Sequence, residues 1–417
     1  MSILVKIADL DLSNKTVLIR EDYNVPMKNS EIAEDTRITA TLSTLKQILE
    51  TGSKIIIMSH LGRPEEGKYD ETFSLMPIAK SLSDHLGVEV PLIKDWVNGI
   101  EMSQHQIVLC ENVRFEKGET NNDDELSRKM AKLCQIYIND AFATAHRAQA
   151  STHGVAKYAS VSAAGPLLIN ELKALTKALR KPAKPIVAII GGAKVSTKLT
   201  ILETLFKKVD KLILGGGIVN TFLKAAGYEI GKSLYEPNLV KIAEKLIKQA
   251  EKNNCAIPLP VDVMTGENFD ENTIAKTKLI NEIEKNDIIM DVGPKTIKQL
   301  NEIILKAKTI VWNGPLGVFE FKQFSQGTKN LAKAIATSNA YSIVGGGDTI
   351  AAISKFKVEK NISYISTGGG AFLEFIEGKK LPAIAILEEA ARAWAAMEKA
   401  RELYLFQLFI FRQTQNV

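Results

Sequence analysis

The chain has few cysteines and histidines for its length, and this limits the chemistry available to it. Its 417 residues include three cysteines and five histidines. Cys110, Cys134 and Cys255 lack the close spacing of a metal site. So odd and sparse a set favours reduced thiols that pack as small core residues, and it predicts a cytoplasmic protein.

Membrane-directing segments and strongly basic blocks are also missing from the sequence. The start of the chain carries Lys6, Asp9 and Asp11 but no charged-then-apolar signal pattern. An apolar run over residues 403–411 is far shorter than the roughly 20 residues that a membrane-spanning helix needs. The net charge of +5 is a mild excess rather than a nucleic-acid-binding block. We therefore expect the chain to bind anionic small molecules, with no membrane and no nucleic-acid partner. Separately, the protein is expected to act as a monomer.

Two common nucleotide-binding signatures are absent. No stretch has the form Gly-x-x-x-x-Gly-Lys-Ser/Thr that defines a P-loop. Gly215, Gly216 and Gly217 begin a partial dinucleotide fingerprint, but Asn220 stands where its third glycine is required. Neither a P-loop ATPase nor a nicotinamide-dependent dehydrogenase is supported by these patterns.

Short apolar runs alternate with helical patterns along the whole chain. In the first half, the predicted strands are residues 16–20, 54–59, 88–92, 106–110 and 136–139, with helices such as 38–51 and 75–86 between them. In the second half, they are residues 185–190, 211–214, 287–291, 309–312, 342–344 and 364–366. This alternation predicts an α/β fold with two Rossmann-like three-layer lobes and mainly parallel sheets.

A leucine-rich helix separates the two halves. Leucines recur at three- and four-residue spacing at positions 168, 172, 175 and 179, and prolines at 182 and 185 end the pattern. We predict a first domain over residues 1–165, a connecting helix and hinge over 166–184, and a second domain over 185–380. A C-terminal segment, 381–417, is expected to pack back on the first domain, with an atypical tail from about residue 391. The alternative is one large domain that contains this helix.

Cationic side chains follow the predicted strands of the first half. They are Arg37, His60, Arg63, Arg114 and Arg147. Ligands of open parallel sheets bind outside the carboxyl ends of the strands, so we expect these cations to converge at one edge. Guanidinium groups gathered in one place favour a phosphate, whereas a single arginine more often forms a surface ion pair.

The second half combines glycine turns with lysines. The predicted strand 185–190 ends at Gly191 and Gly192, and Lys194 and Lys198 are four residues apart. Four-residue spacing would put both lysines on one helical face, beside a helix N-terminus that favours anions. The alternative is a solvated pair of lysines after an ordinary turn.

Glycine triplets follow three of the predicted strands, at residues 215–217, 345–347 and 368–370. Glycines admit a flat base, and their backbone amides suit phosphates. Asp348 is a candidate Mg²⁺ ligand and Glu320 a candidate partner for a ribose hydroxyl. Taken singly, each triplet is also explained as a tight turn, and Asp348 as a helix N-cap.

Eight motifs, in order, resemble the phosphoglycerate kinase family. They lie at residues 20–26, 35–38, 59–64, 111–115, 139–147, 191–195, 312–315 and 345–349. The resemblance implies reversible phosphoryl transfer between 1,3-bisphosphoglycerate and ADP, giving 3-phosphoglycerate and ATP, with Mg²⁺ as cofactor and hinge closure before direct in-line transfer. Glu21 and Tyr23 depart from the family pattern, which has a small or apolar residue and Leu or Phe at these positions.

The resemblance also implies a role for individual residues. It assigns the 3-phosphoglycerate site to Asp22, Asn24, Arg37, His60, Arg63, Arg114 and Arg147. It assigns the nucleotide site to Gly192, Ala193, Lys194, Lys198, Gly217, Asn313, Pro315, Glu320, Gly345, Gly346, Gly347, Asp348 and Thr349. Arg37, Lys194, Gly346 and Gly347 are implied to act on the transferred group, and Asp348 on the metal. A binding protein for a phosphorylated metabolite would explain the arginines but not the lysines and glycine turns.

Overall fold

The computed structural model describes residues 4–414, with residues 405–414 as backbone only. The chain forms two compact units. The first unit contains the chain as far as Glu171 together with the segment from Lys380 onward, and the second contains Leu172–Lys379. The chain passes between them within one helix and again at residues 379–380.

The first unit is built on a parallel sheet of six strands. Its strands and a small hairpin are β1 (Thr16–Arg20), β2 (Met27–Lys28), β3 (Glu31–Ile32), β4 (Lys54–Met58), β5 (Leu92–Ile93), β6 (Ile107–Cys110), β7 (Ile136–Asn139) and β8 (Ser162–Ala164). The sheet order is β5-β6-β4-β1-β7-β8, and β2 and β3 form a separate two-stranded sheet. Strands such as β4, whose last four residues are all buried, read as continuous apolar runs because helices cover both faces of the sheet.

Helices of the first unit are α1 (Thr36–Glu50), α2 (Met76–Leu86), α3 (Asp124–Lys132), α4 (Val155–Tyr158) and the start of α5 (Pro166–Leu179). In α1, Ile38, Leu45 and Ile48 are buried at helical spacing and join the core formed with β1 and β4. Pro166 begins α5 as the leucine pattern predicts. This helix carries the chain from the first unit into the second.

The second unit contains a five-stranded parallel sheet and a three-stranded antiparallel one. The strands are β9 (Ile186–Ile190), β10 (Lys211–Leu214), β11 (Asp262–Gly266), β12 (Lys276–Leu279), β13 (Ile288–Val292), β14 (Thr309–Asn313), β15 (Tyr341–Gly345) and β16 (Tyr364–Ser366). Their orders are β10-β9-β14-β15-β16 and β12-β11-β13. The helices are α6 (Leu199–Leu205), α7 (Gly216–Ala225), α8 (Val240–Lys252), α9 (Pro294–Lys306), α10 (Gln326–Thr337), α11 (Gly347–Phe356) and α12 (Gly370–Ile376).

The prediction of an α/β fold with mainly parallel sheets is confirmed, and two strand predictions need correction. The segment predicted as strand 88–92 forms strand only at Leu92–Ile93, because Pro91 cannot donate a ladder hydrogen bond and Val88 is exposed. The strand predicted at 287–291 exists but pairs antiparallel with β11, outside the parallel sheet.

The C-terminal helix α13 (Pro382–Thr414) belongs to the first unit. The Ala383 amide donates to the Ala145 carbonyl (3.1 Å), and Leu387 and Ala391 are buried. Trp394 packs partly buried against the core, whereas Met397 is 65% exposed. The tail predicted from about residue 391 therefore continues a helix, and its last residues, 415–417, lie outside the described part of the chain. Among the described helices, none is long and apolar enough to cross a membrane.

Candidate active site

Four cationic side chains of the first unit come from the carboxyl ends of neighbouring strands. Arg20 is the last residue of β1, His60 follows β4, Arg114 follows β6 and Arg147 follows β7. In the sheet, Arg20 is level with Met58 of β4 and with Asn139 of β7. Parallel pairing therefore brings these strand ends to one edge, as the sequence predicts.

His60 lies at the centre of this cationic cluster. Its side chain is 4% exposed. Arg20 Nη2 lies 3.2 Å from His60 Nδ1. Burial, reinforced by the charges of Arg20, Arg114, Arg147 and Arg37, holds the pKa of His60 well below its usual value. His60 is therefore neutral at physiological pH.

Arg114 shows that the arginines of the cluster repel one another. It is 7% exposed and donates to the Gly62 carbonyl. Burial, together with the charges of Arg147, Arg20 and Arg63, lowers the pKa of Arg114 to about 10, and Glu119 opposes the shift. An anion bound among these side chains would relieve the repulsion.

Arg37 lies in the first turn of α1, where the loop after β1 holds it. Its Nη1 donates to Asp22 Oδ2 (2.6 Å) and to the Asn24 carbonyl (3.2 Å). Asn24 Oδ1 in turn accepts from the Gly62 amide (2.9 Å). The Arg37 side chain is 31% exposed, so it is positioned but open to a ligand. The predicted substrate residues Asp22, Asn24 and Arg37 are thus brought into one network.

The structure adds a support that the sequence analysis did not assign. Arg20 is 1% exposed, and its Nε donates to Ser151 Oγ (3.0 Å). Ser151 donates to Glu119 through its hydroxyl (2.6 Å) and its amide (2.9 Å). The position of Arg20 at the end of a strand is the sequence feature that could have indicated its place in the cationic cluster. Nothing local marks Glu119 or Ser151, because 131 residues separate Ser151 from Arg20.

A cavity of about 390 Å³ lies in the second unit. Its lining includes the predicted nucleotide residues Gly192, Ala193, Gly217, Pro315, Glu320 and Asp348. Apolar side chains, among them Val263, Phe269 and Leu316, complete the wall. A pocket with apolar walls and a few polar groups at one end suits a base and its attached phosphates.

Glycines allow three loops to meet at this cavity. A Cβ on Gly191 would lie 1.9 Å from the Pro315 carbonyl oxygen. A Cβ on Gly217 would lie 2.2 Å from the Ala193 carbonyl oxygen. Both obstacles are backbone atoms, so a side chain at either position would push the loops apart. Tight turns and ligand binding are therefore compatible roles for these glycines.

The prediction that Lys194 and Lys198 share one helical face is wrong. Helix α6 begins at Leu199, and both lysines precede it in the loop after β9. The loop is held elsewhere, since Ser196 donates to Glu236 through its amide (2.9 Å) and its hydroxyl (2.6 Å). Lys198 Nζ donates to Asn313 Oδ1 (2.7 Å), and burial lowers the pKa of Lys198. Lys194, by contrast, is exposed. The lysines therefore have different surroundings.

Residues 345–349 connect β15 to α11. Gly346 is the residue before the helix, with φ 97°, and Asn313 Nδ2 donates to the Gly345 carbonyl (2.7 Å). Thr349 is buried, and its hydroxyl accepts from the Gly314 amide (2.6 Å). Asp348 is exposed in the first turn of α11, so Gly346 rather than Asp348 occupies the N-cap.

Asp348 is the acidic side chain that the sequence predicts as a magnesium ligand. It lines the cavity and is open to solvent. Within residues 4–414, no group of three or more acidic, histidine or cysteine side chains forms a metal-binding cluster. One carboxylate suits Mg²⁺, which keeps waters and binds substrate phosphates rather than an all-protein cage.

The chain is similar to known proteins along most of its length. The sequence matches the family described as phosphoglycerate kinase over residues 7–379. It is 55% identical to the phosphoglycerate kinase of Vibrio campbellii over 389 residues, covering 93% of this chain and all of that protein. It is also 55% identical to the phosphoglycerate kinase of Nitratidesulfovibrio vulgaris over 386 residues, covering 93% and 98% of the two chains.

Solved structures show the same likeness in three dimensions. The phosphoglycerate kinase of Coxiella burnetii superposes with a TM-score of 0.90 at 54% identity, covering 93% of this chain and all of that one. The enzyme of Pyrococcus horikoshii superposes with a TM-score of 0.79 at 33% identity, covering 94% and 100% of the two chains. The chain belongs to the phosphoglycerate kinase family, whose members catalyse the reversible transfer of a phosphoryl group from 1,3-bisphosphoglycerate to ADP, giving 3-phosphoglycerate and ATP.

Proposed function

We propose that the arginine cluster of the first unit binds the phosphoglycerate and that the cavity of the second unit binds the nucleotide. The observation that carries this proposal is the set of arginines around the neutral His60. The residues proposed to bind phosphoglycerate are Asp22, Asn24, Arg37, His60, Arg63, Arg114 and Arg147. Phosphate and carboxylate both match the forked donors of arginine, and a bound anion offsets the repulsion within the cluster.

The chemistry of the acceptor explains why no general base is needed in this site. The acceptor is a carboxylate, which is already ionised near neutral pH. His60 is neutral and serves as a hydrogen-bond donor rather than a base. Phosphoryl transfer depends mainly on positioning and on stabilisation of negative charge. Arg37, Lys194 and the amides of Gly346 and Gly347 are the groups proposed to supply that stabilisation.

The nucleotide is proposed to lie against the glycine-lined loops of the second unit. The residues proposed to bind it are Gly192, Ala193, Lys194, Lys198, Gly217, Asn313, Pro315, Glu320, Gly345, Gly346, Gly347, Asp348 and Thr349. Magnesium would be held by Asp348 and the nucleotide phosphates, whose negative charge it would neutralise. Thr349 also holds the loop at Gly314, because its hydroxyl oxygen accepts from the Gly314 amide.

Transfer between ligands held in different units requires the units to close on one another. We place the hinge at α5, within which the chain passes from the first unit to the second. Closure would exclude water, which would otherwise hydrolyse the acyl phosphate or ATP. We further propose that the protein acts as a monomer in the cytoplasm.

Two substitutions test the assignment. Arg37→Ala and Lys194→Ala are each expected to lower kcat by about 100-fold or more, because each removes positive charge that stabilises the transferred group. A coupled assay with 3-phosphoglycerate, Mg²⁺ and ATP measures the rate, and calorimetry measures the binding of each ligand. Each variant is expected to bind the ligand of its unaltered unit normally.

Lys241→Ala is the control, since Lys241 is exposed on α8 and far in sequence from the glycine loops. It is expected to retain wild-type turnover. Near-normal turnover in either Arg37→Ala or Lys194→Ala would refute the role given to that residue. A chain that binds both ligands but never turns over would instead support a binding protein.

A further inference from the structure

Arg20 is buried, and every partner that its guanidinium meets is a hydrogen-bond acceptor. Its Nε donates to Ser151 Oγ (3.0 Å), and its Nη1 donates to the Glu21 carbonyl. Its Nη2 lies 3.2 Å from His60 Nδ1. The family resemblance gave Arg20 no role, and the proposed substrate residues do not include it.

The contact with Arg20 determines which nitrogen of His60 carries the proton. A guanidinium has only donors and does not lose its proton in a protein, so Nδ1 of His60 must accept. The single proton of the neutral ring is therefore on Nε2. A second proton on Nδ1 would remove the acceptor and place two cations 3.2 Å apart.

Charged groups around His60 come from every neighbouring strand end. Arg114 and Arg147 oppose a positive charge on the ring, as does Arg37 of α1. Asp22 Oδ1 lies 3.8 Å from Nδ1 on the loop after β1. That carboxylate would favour a charged ring, but it is already engaged by Arg37 (2.6 Å). The balance therefore favours the neutral ring.

Arg20 is itself held in place by Ser151, which is in turn hydrogen-bonded to Glu119. The Ser151 hydroxyl gives its proton to Glu119 Oε1 (2.6 Å), which leaves its oxygen free to accept from Arg20. The Ser151 amide donates to the other oxygen of Glu119 (2.9 Å). Glu119 is fully buried, and burial raises the pKa of its carboxyl group, whereas the charge of Arg20 and the hydrogen bonds from Ser151 oppose that rise. These contacts form a series of hydrogen bonds that runs from Glu119 through Ser151 and Arg20 to His60.

We propose that Arg20 is a positioning residue that keeps His60 as a neutral imidazole with its proton on Nε2, so that His60 donates one hydrogen bond to the carboxylate or phosphate of 3-phosphoglycerate throughout the working pH range. The inference rests on the proposed function of the arginine cluster. It adds that His60 acts as a fixed donor and not as a titrating cation.

Nuclear magnetic resonance of the full-length enzyme labelled with ¹⁵N-histidine tests the tautomer directly. The His60 signal, identified by its loss in His60→Asn, is expected to show a protonated Nε2 and an unprotonated Nδ1, without titration between about pH 5 and 8. A protonated Nδ1, or titration in this range, would overturn the proposal. This measurement needs no variant of Arg20.

Arg20→Met tests the cause, because methionine keeps an apolar stem without the guanidinium. His60 is then expected to sample both tautomers, and its pKa is expected to rise, although burial and the remaining arginines still oppose a charged ring. The KM for 3-phosphoglycerate is expected to rise by about tenfold and to depend on pH, while the KM for ATP stays constant. An unchanged tautomer and an unchanged pH profile would overturn the proposal.

Arg128→Met is the matched control, since Arg128 lies over the Tyr158 ring (3.9 Å) and is absent from the charges that act on His60. It is expected to leave the His60 signal and both KM values unchanged. Failure of the proposed function can be distinguished from failure of this inference. If the arginine cluster does not bind 3-phosphoglycerate, adding that ligand to the wild-type enzyme will leave the His60 signal unchanged. Failure of the present inference appears in spectra recorded without ligand.

Discussion

Glu21, next to Arg20, is a fully buried carboxyl group, and among the described residues neither of its two oxygens has a hydrogen-bond partner. Burial and the nearby Asp140 raise the pKa of Glu21 well above its ordinary value, with Arg20 opposing the shift. Burial also raises the pKa of Asp140 to about 7, although its Oδ1 accepts from the Leu168 amide (2.9 Å). Glu21 and Asp140 therefore form a costly pair of buried acids.

Protonation of this pair predicts how stability changes with pH. In the unfolded chain, such a carboxyl group has a pKa of about 4 and loses its proton as pH rises past that value. In the folded state, a pKa of about 7 means that the group keeps its proton until pH reaches about 7. The free energy of unfolding therefore falls as pH rises from about 4 to 7. The protonated carboxyl groups therefore contribute their full share of stability below about pH 4, and this share is lost above about pH 7.

Glu21→Met is expected to stabilise the protein at high pH. Methionine fills a similar volume without an unpaired charge, so the free energy of unfolding at pH 8 should rise by about 1–3 kcal/mol. The gain should be smaller at pH 4, where the carboxyl groups are protonated. Urea unfolding of the full chain at both pH values measures the difference.

The control for Glu21→Met is Glu50→Met, at an exposed position at the end of α1. It should change stability little at either pH. A loss of stability in Glu21→Met at pH 8 would contradict this expectation, since it would mean that the attraction of the Arg20 charge outweighs the cost of burial.

Helix α9 shows how one element depends on a residue distant in sequence. Its first amides are capped by Asp262 of β11, which accepts from Lys295 N (2.9 Å) and Thr296 N (2.7 Å). The Thr296 hydroxyl also donates to Asp262 (2.7 Å), and Asp262 is 1% exposed. The N-terminal amides of α9 thus have their partner on another strand.

Asp262→Ala is expected to destabilise the second unit by about 2 kcal/mol, because a cap is lost and buried amides are left unpaired. Thermal unfolding measured by circular dichroism detects the loss. Asp270→Ala is the control, since Asp270 also accepts from a backbone amide, Asn272 N (2.7 Å), but lies exposed in a turn. Equal effects in the two variants would refute the importance of the buried cap.

Elements with a strong local pattern are predictable from the sequence, and elements that depend on distant pairing are not. The apolar run of β1 and the leucine spacing of α5 locate both elements from neighbouring residues alone. The sequence pattern does not indicate β11, and it does not show that the strand near residues 287–291 pairs antiparallel with β11. Antiparallel pairing between them is a contact between distant segments, which no local period encodes.

At the scale of the whole molecule, the C-terminal helix divides into a packed part and an exposed part. Leu387 and Ala391 are buried, whereas Met397, Leu403 and Tyr404 are each more than half exposed. The family match ends at residue 379, shortly before this helix begins. The alignment with the Vibrio campbellii enzyme is 389 residues long and covers the whole of that enzyme. The packed part therefore completes the first unit.

A chain ended after Glu398 is expected to keep wild-type kcat and thermal stability, because it removes side chains that are exposed as far as Tyr404. A chain ended after Lys380 is expected to lose stability by several kcal/mol, since it removes the buried side chains of α13. The coupled assay and thermal unfolding compare the two. Loss of activity in the longer chain would show that the tail contributes to function.

The sequence by itself determined the alternation of strands and helices, the placing of cations at strand ends and the glycines of the second unit, because these depend on residues close together in the chain. Only the tertiary structure decided that Arg20 meets His60, that Ser151 and Glu119 support Arg20, and that Lys198 meets Asn313. It also separated Lys194 and Lys198 from the helix that their spacing predicts. Such contacts depend on burial and on hydrogen bonds between distant segments, which local periodicity does not specify.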